Sequence, residues 1–369
     1  METLLKQREG IPLINYSKDE LYREALNLLK ELISIESFSQ KEEKAADAIS
    51  DFFSRKRISY QRKSNNIWVY NRNFNPELPT LLLSSHHDTV KPNFGWSINP
   101  FSPLIENGKL YGLGSNDAGA ALVSLIVTFL YFNEYKTLKY NLVFAATAEE
   151  GISGQNGIEL VYPKLGKIDF AIIGEPTKMN LAVAEKGLMV LDCIAKGKSG
   201  HAAREEGENA IYNALKDIEW FSSYKFSKVS EFLGSVKMSV TQITAGTQHN
   251  VIPDSCKFTV DVRITENYTN EEILEIIRKN VSSEVKARST RLKSSSIDKD
   301  HLIIKAGNEL GRSTYGSPTT SDQALIDAPS VKIGPGDPAR SHTADEFIYL
   351  YELNEGISLY IEILKKVLL

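Results

Sequence analysis

The stretch TLLLSSHHDTV (residues 80–90) decides how this chain reads. An apolar, strand-like run stops at His86, and Asp88 stands two positions further on. Three other runs end in the same way. NLVFAAT (141–147) leads to Glu149 and Glu150, FAIIG (170–174) to Glu175, and SVKIGPG (330–336) to a segment holding His342. Asp117 lies in GLGSNDAGA (112–120), just ahead of an apolar helical stretch. In open α/β sheets, ligands bind beyond the carboxyl ends of the strands, so these acids and histidines are expected to share one cleft. Two histidines among several carboxylates suit a pair of zinc-like ions and hydrolytic chemistry.

With 369 residues and 41.2 kDa, the chain is long enough for two domains, since a single core rarely grows beyond about 250–300 residues. A net charge of −4 and a pI near 6.0 give no reason to expect nucleic acid or an anionic membrane as partner. Cys193 and Cys256 are the only cysteines, which excludes a disulfide framework and favours a reducing compartment. The start, METLLKQREG, shows no apolar signal core. LVSLIVTFLYF (122–132) is too short for the roughly 20 residues of a membrane span and reads as a buried helix. A cytoplasmic location is expected.

Residues 18–57 carry helical periodicity, with Ser39 and Glu42 placed as a capping box for a second helix. Strands at 67–70 and 80–85 follow, then alternating strand and helix to about 177, which implies a mostly parallel sheet. From about 180 the texture changes: strand (181–197), helix (208–223), strands (235–244 and 256–263), helix (270–280), strand (283–292). That βαββαβ order predicts a ferredoxin-like module inserted between Glu175 and His342. The expected organisation is a catalytic domain of residues 1–178 and 293–369, closing with helices near 323 and over 351–366. Residues 179–292 form the inserted lid, also expected to be the dimer interface because its exposed sheet edges need a partner.

The residues suggest roles beside ordinary ones. In His86-His87-Asp88, Asp88 can orient the imidazole of His86, as ligand histidines require; His87 would point to the opposite face. Asp117 can bridge two metals or cap the following helix. Of the adjacent acids Glu149 and Glu150, one can bind metal while the other acts as general base. Glu175 and His342 complete the set. In the insertion, His201, Asn250 and Arg263 form a second polar group, the arginine suited to a bidentate grip on a carboxylate.

Read in order, SSHHDTV, GLGSNDAGA, TAEEG, GEPT, GKSGHAA, NVIPD with DVR, SDQAL and GPGDPARSHTADE resemble a known family of di-zinc amidohydrolases. These are the acetylornithine deacetylase, succinyl-diaminopimelate desuccinylase, aminoacylase and glutamate carboxypeptidase enzymes. The likeness runs from about residue 20 to the end and implies two Zn²⁺ per subunit, with Co²⁺ or Mn²⁺ as alternatives. By that resemblance His86 and Glu175 bind one ion, Glu150 and His342 the other, and Asp117 bridges them, while Asp88 orients His86. Glu149 is the general base and acid, His201 reaches from the partner subunit of a homodimer to the oxyanion, and Asn250 with Arg263 hold the substrate carboxylate. Two departures, Gly112-Leu113-Gly114 and Ala118-Gly119-Ala120, remove no proposed ligand and bear on the subfamily. Gly334-Pro335-Gly336-Asp337 before His342 resembles the acetylornithine branch. The expected substrate is therefore an N-acetyl- or N-succinyl-ornithine or -citrulline of arginine biosynthesis. Acetyl-lysine, succinyl-diaminopimelate, dipeptides and a non-catalytic sensor role are the alternatives. Asp337 and Arg340 are the nearest candidates for reading the substrate side chain.

Overall fold

A computed structural model describes residues 16–204 and 206–369. The fold is mixed α/β with a mostly parallel central sheet, as expected, and the chain divides into two compact units. The first comprises residues up to Val183 with Ile297–Tyr315 and Ser321–Leu369; the second comprises Ala184–Ser296 and Gly316–Thr320.

At the centre of the first unit, four strands run parallel in the order Asn141–Thr147, Thr80–His86, Phe170–Ile173 and Ser330–Lys332. Strands 80–86 and 141–147 are buried at every position. Continuous apolar runs suit strands covered on both faces. Asn66–Tyr70 and Leu181–Glu185 flank them antiparallel. Because the four central strands point the same way, the segments after His86, Thr147, Ile173 and Lys332 all leave from one edge. Helix Ala120–Asn133 packs against this sheet and touches helices Lys18–Ile33 and Leu350–Leu368. Neighbours around it explain its nearly uniform apolar surface. By length and composition Ser115–Asn133 could cross a membrane, yet most of it is buried in the core.

The expected capping box at Ser39 and Glu42 is not formed. Helix Glu43–Arg55 has Glu42 at its N-cap without a side-chain cap. Ser39 Oγ instead donates to Asp88 Oδ2 at 2.6 Å, and Glu42 accepts from Asn65 Nδ2 at 2.8 Å. Donors that a buried carboxylate needs are scarcer than those at a helix end, where water can reach. A capping box does form one helix earlier, between Ser17 and Glu20.

In the second unit the antiparallel order is Lys237–Ala245, Ser255–Ile264, Gly187–Lys196, Glu284–Ala287. With helices Ala210–Ser223 and Asn270–Asn280, this gives the expected βαββαβ succession. Alternation is clean: Met189, Leu191, Cys193 and Val260, Val262, Ile264 point into the core, while Val190, Asp261 and Arg263 are half-buried on the other face. The run expected as one strand over 181–197 is two. It breaks at Lys186, since Leu181–Glu185 joins the large sheet and Gly187–Lys196 the small one. The strand expected over 283–292 is only Glu284–Ala287, and the helix near 323 is a single 3₁₀ turn, Asp322–Leu325.

Phe53 sits at the first unit's core, with ring centroids of Phe144 and Phe129 at 5.9 and 6.5 Å. Replacing it with alanine should destabilise the protein by about 3–5 kcal/mol, the usual cost of a buried Phe→Ala change. A urea titration would show this as a lower midpoint, and a loss below about 1 kcal/mol would place the core elsewhere.

Candidate metal centre and active site

Strand 80–86 delivers His86 to the sheet edge, where the ring is buried. Its Nδ1 lies 2.9 Å from the backbone oxygen of Asp88 and 3.4 Å from Asp88 Oδ1. Both neighbours are acceptors, so in the neutral ring the proton belongs on Nδ1 and the Nε2 lone pair faces outward. It faces Asp117 Oδ1 at 3.3 Å, Glu175 Oε1 at 3.6 Å and Glu150 Oε2 at 3.9 Å. His342 Nε2 stands 3.8 Å from Asp117 Oδ2, which puts Asp117 between the two histidines. Five residues expected as ligands are thus brought together from segments spread over the chain.

The electrostatics match the geometry. Burial opposes charge on the His86 ring, but Glu150, Asp117, Asp88 and Glu175 outweigh it and raise its pKa well above the ordinary value. Burial, aided by Glu175, Asp322 and Asp88, raises Glu150 far above the usual carboxylate range against the pull of His86. Asp88 goes the other way. Burial would raise it, yet His86, Ser39 Oγ and the Gly151 N–H hold it well below its ordinary value. A permanently ionised Asp88 is what keeps the His86 ring oriented.

These donors suit a metal ion. Ligand atoms about 2.1 Å from one tetrahedral ion stand roughly 3.4 Å apart, close to the 3.3 and 3.6 Å from His86 Nε2 to Asp117 and Glu175. The three donor atoms lie within 4.8 Å of one another. His86, Asp117, Glu150 and His342 line one small pocket together with Asp88 and Glu346.

Glu149 is placed differently. Its backbone is left-handed (φ 58°), and its carboxylate accepts from Asn156 N at 3.1 Å and Asn156 Nδ2 at 3.0 Å. His87, behind the edge, is buried, and burial pushes its pKa down to about 4. Arg340 and Asp337 are already engaged: Arg340 forks onto Glu352 at 2.6 and 2.8 Å, and Asp337 pairs with Lys178 at 2.7 Å.

In the second unit, His201 and Val251 pair across a short ladder, and the backbone oxygen of Asn250 accepts from Ala202 N at 3.0 Å. His201 is exposed, with Nδ1 accepting from Ala203 N at 3.1 Å. In the neutral ring this puts the proton on Nε2, free to donate outward. Arg263 forks onto Asp261 at 2.8 and 3.1 Å and donates Nη1 to Thr320 Oγ1 at 3.4 Å.

Several site residues escaped sequence reasoning. Ser39 serves Asp88, Asn156 serves Glu149, and buried Asp322 accepts from Thr147 Oγ1 at 2.7 Å near Glu150. Glu346 is almost fully buried, its pKa pushed up to about 8 chiefly by burial, and it accepts from the backbone of Gly114, Asn116 and Asp117. SDQAL and SHTADE were visible in the sequence as strings, but only the fold shows what each acid faces.

Metal uptake has to displace the protons that His86 and Glu150 retain above their ordinary values. Affinity should therefore rise with pH, by up to about tenfold per unit for each proton displaced. Competition titrations at about pH 6, 7 and 8 would measure it, and a flat profile would remove these two residues from the ligand set.

The geometry can be set beside known proteins. The chain is 26% identical over 277 residues to the succinyl-diaminopimelate desuccinylase of Orientia tsutsugamushi (strain Boryong), covering 69% of this chain and 71% of that protein. Its fold matches a tripeptidase from Staphylococcus aureus with TM-score 0.75 at 23% identity, covering 93% of this chain and 98% of that one. A dinuclear metal-binding M20 peptidase from Bacillus subtilis matches with TM-score 0.71 at 17% identity, covering 95% and 98%. Residues 82–366 match the profile of peptidase family M20/M25/M40, and with its convergent histidines and carboxylates the chain belongs to that family of metal-dependent hydrolases.

Proposed function

We propose that the protein hydrolyses the amide bond of an N-acyl-L-amino acid at a two-zinc centre. The observation that carries this reading is the convergence of Asp117, Glu150 and Glu175 on His86 Nε2, with Asp88 fixing the ring. His86 and Glu175 would hold one ion, Glu150 and His342 the other, with Asp117 between. When bound, the ions supply Lewis acidity and lower the pKa of water in the site towards neutrality.

The remaining steps belong to side chains. Glu149 takes a proton from the attacking water, and a carbon–oxygen bond forms at the acyl carbonyl. A carboxylate offers about four acceptor positions, so the two bonds from Asn156 leave Glu149 able to accept. His201 donates its Nε2 proton towards the oxyanion, a contact whose loss typically costs roughly 10²–10³ in rate. Glu149 then returns its proton to the amine as the carbon–nitrogen bond breaks, releasing carboxylic acid and free amine. Asn250 and Arg263 would hold the substrate carboxylate, the latter through the N–H groups not given to Asp261 and Thr320.

The acyl-ornithine and acyl-citrulline substrates of arginine biosynthesis rested on the turn Gly334–Asp337. That turn has a structural reason of its own: a Cβ on Gly334 would lie 2.5 Å from the Glu175 carbonyl oxygen, and one on Gly336 2.4 Å from Asn116 Oδ1. The second reading, succinyl-diaminopimelate desuccinylation, is favoured by the name of the matched relative. We place the reaction in the cytoplasm, where the buried free thiols of Cys193 and Cys256 stay reduced. Cobalt or manganese are alternative ions for such a ligand set.

The direct test is amine release from acetyl- and succinyl-ornithine, -citrulline and -lysine, succinyl-diaminopimelate and dipeptides, with added zinc or cobalt and chelator controls. Turnover of an acyl amino acid that a chelator abolishes supports the proposal; turnover of dipeptides alone overturns the substrate class. Glu149→Ala should lower turnover by at least about 10²–10⁴-fold, as expected for a lost general base, with both ions still bound by metal analysis. A near-normal rate would sink that assignment.

We propose a homodimer through the inserted unit. Strand Lys237–Ala245 is a sheet edge with mostly exposed positions, and Ile243, with Tyr212 and Leu215 on helix Ala210–Ser223, leaves more than half of its surface exposed. Ile243→Lys would place a charge on that edge. Sedimentation should find a dimer in the parent and a monomer in the variant; an active monomeric parent would also exclude His201 acting across the interface.

A further inference from the structure

We propose that Glu346 is a positioning residue that sets the Asp117–His342 half of the metal centre. Its carboxylate clamps the loop carrying Asp117: Oε1 accepts from Asn116 N at 2.8 Å and Asp117 N at 2.9 Å, and Oε2 from Gly114 N at 3.2 Å. Its own backbone oxygen accepts from Gly112 N at 3.0 Å, so one residue ties down four positions of that loop. Asn116 adds a reciprocal pair to the backbone of Asp337, at 3.1 and 3.0 Å.

The other end of the clamp leads to His342. Three residues separate it from Glu346, and one of them, Asp345, is pinned by Ser97 N at 2.9 Å and Ser97 Oγ at 2.6 Å. His342 has a left-handed backbone (φ 60°) and a side chain 68% exposed, so little packing fixes it directly. Asp117 likewise follows a loop that turns through left-handed glycines, Gly112 and Gly114. Asp117 lies in a single kinked helical turn, Ser115–Gly119, where its own backbone is non-helical, and His342 lies in a turn between Pro338–Arg340 and strand Phe347–Tyr349. Among the described residues Glu346 is a buried side chain bonded to the Asp117 loop from the His342 turn, beside the half-buried Ser341, whose side chain bonds Asp117 itself; His342 Nε2 stands 3.8 Å from Asp117 Oδ2. By contrast, His86 is fixed by a central strand and by Asp88. Loss of Glu346 should therefore loosen the His342 side of the centre more than the His86 side, which shares only Asp117 with it.

This inference rests on the ligand assignment proposed above, so that assignment is tested alongside it. Zinc and cobalt titrations of metal-free protein would be followed by calorimetry and by the cobalt absorption spectrum. His342→Ala and Asp117→Asn, made as references, must each weaken or lose an ion; if neither does, the ligand assignment fails, independently of Glu346. Glu346→Ala is expected to weaken the ion assigned to Glu150 and His342 by about 10–100-fold, the range seen when a residue supporting a ligand is removed, and to weaken the ion assigned to His86 and Glu175 less, through Asp117 between them. Glu346→Gln keeps the shape and one acceptor oxygen, so it should be intermediate and should remain folded if the alanine variant does not. Excess metal should restore activity to the variants. Unchanged affinity for both ions in folded Glu346→Gln and Glu346→Ala, with only a lower Tm, would make Glu346 a purely structural latch and overturn the proposal. Equal weakening of both ions would overturn it as well.

Discussion

The carboxyl edge of the large sheet is governed by one constraint: negative charges are gathered where water cannot screen them. Two like charges about 4 Å apart repel by roughly 4 kcal/mol at an effective dielectric of about 20. The protein meets this repulsion in two ways. Asp88 and Glu346 are surrounded by donors: Ser39 Oγ and the N–H groups of Glu150 and Gly151 for the first, three loop N–H groups for the second. Asp117, Glu150 and Glu175 turn towards His86 Nε2 instead. Carboxylates satisfied by the protein build the site, and those facing the imidazole are the ones a cation would relieve. The pKa directions follow the local balance of burial and partners: burial prevails at Glu150 and at Glu346, which is pushed up to about 8, while at Asp88 and Asp117 the hydrogen bonds and the charge of His86 outweigh it and lower them.

The same division explains what could be read from the sequence. His86, Glu150, Glu175 and His342 were legible because each follows an apolar run, and parallel strands carry their successors to a common edge. The βαββαβ insertion was legible from its periodicity. What failed was local. Ser39 and Glu42 have the spacing of a capping box, yet tertiary demand from Asp88 and Asn65 claims their side chains. Asp117 has the look of a helix cap, but the helix starts at Ala120 with Gly119 at its N-cap. Lys186 sits inside what reads as one strand, and only sheet membership shows the break. Glu346 and Asn156 were beyond reach, since their meaning lies in partners 229 and 7 residues away rather than in their own neighbourhood.

Backbone conformation is also constrained at two of these positions, as it is at several turns elsewhere in the chain. Glu149 and His342 both hold left-handed conformations that non-glycine residues seldom adopt, at φ 58° and 60°. Such positions cost of order 1–3 kcal/mol each and persist where surrounding contacts over-determine them. At Glu149 the contacts are visible: Asn156 grips the carboxylate, and Glu42 accepts from its N–H at 3.3 Å. Gly154 could not be larger, because a Cβ there would meet the Glu149 side chain.

The motifs that identify the family are therefore statements about how the centre is built, and this limits what they say about substrate. Gly334 and Gly336 are small because the Glu175 and Asn116 segments pass against them, and Arg340 is spent on Glu352 and lies against the rings of Phe347 and Tyr349. A residue fully used in construction cannot also discriminate one acyl amino acid from another. Discrimination requires polar groups with hydrogen-bonding capacity still to give, because a site rejects a wrong ligand by leaving such groups unpaired. In the second unit, the outward Nε2 of His201 and the remaining N–H groups of Arg263 have that capacity.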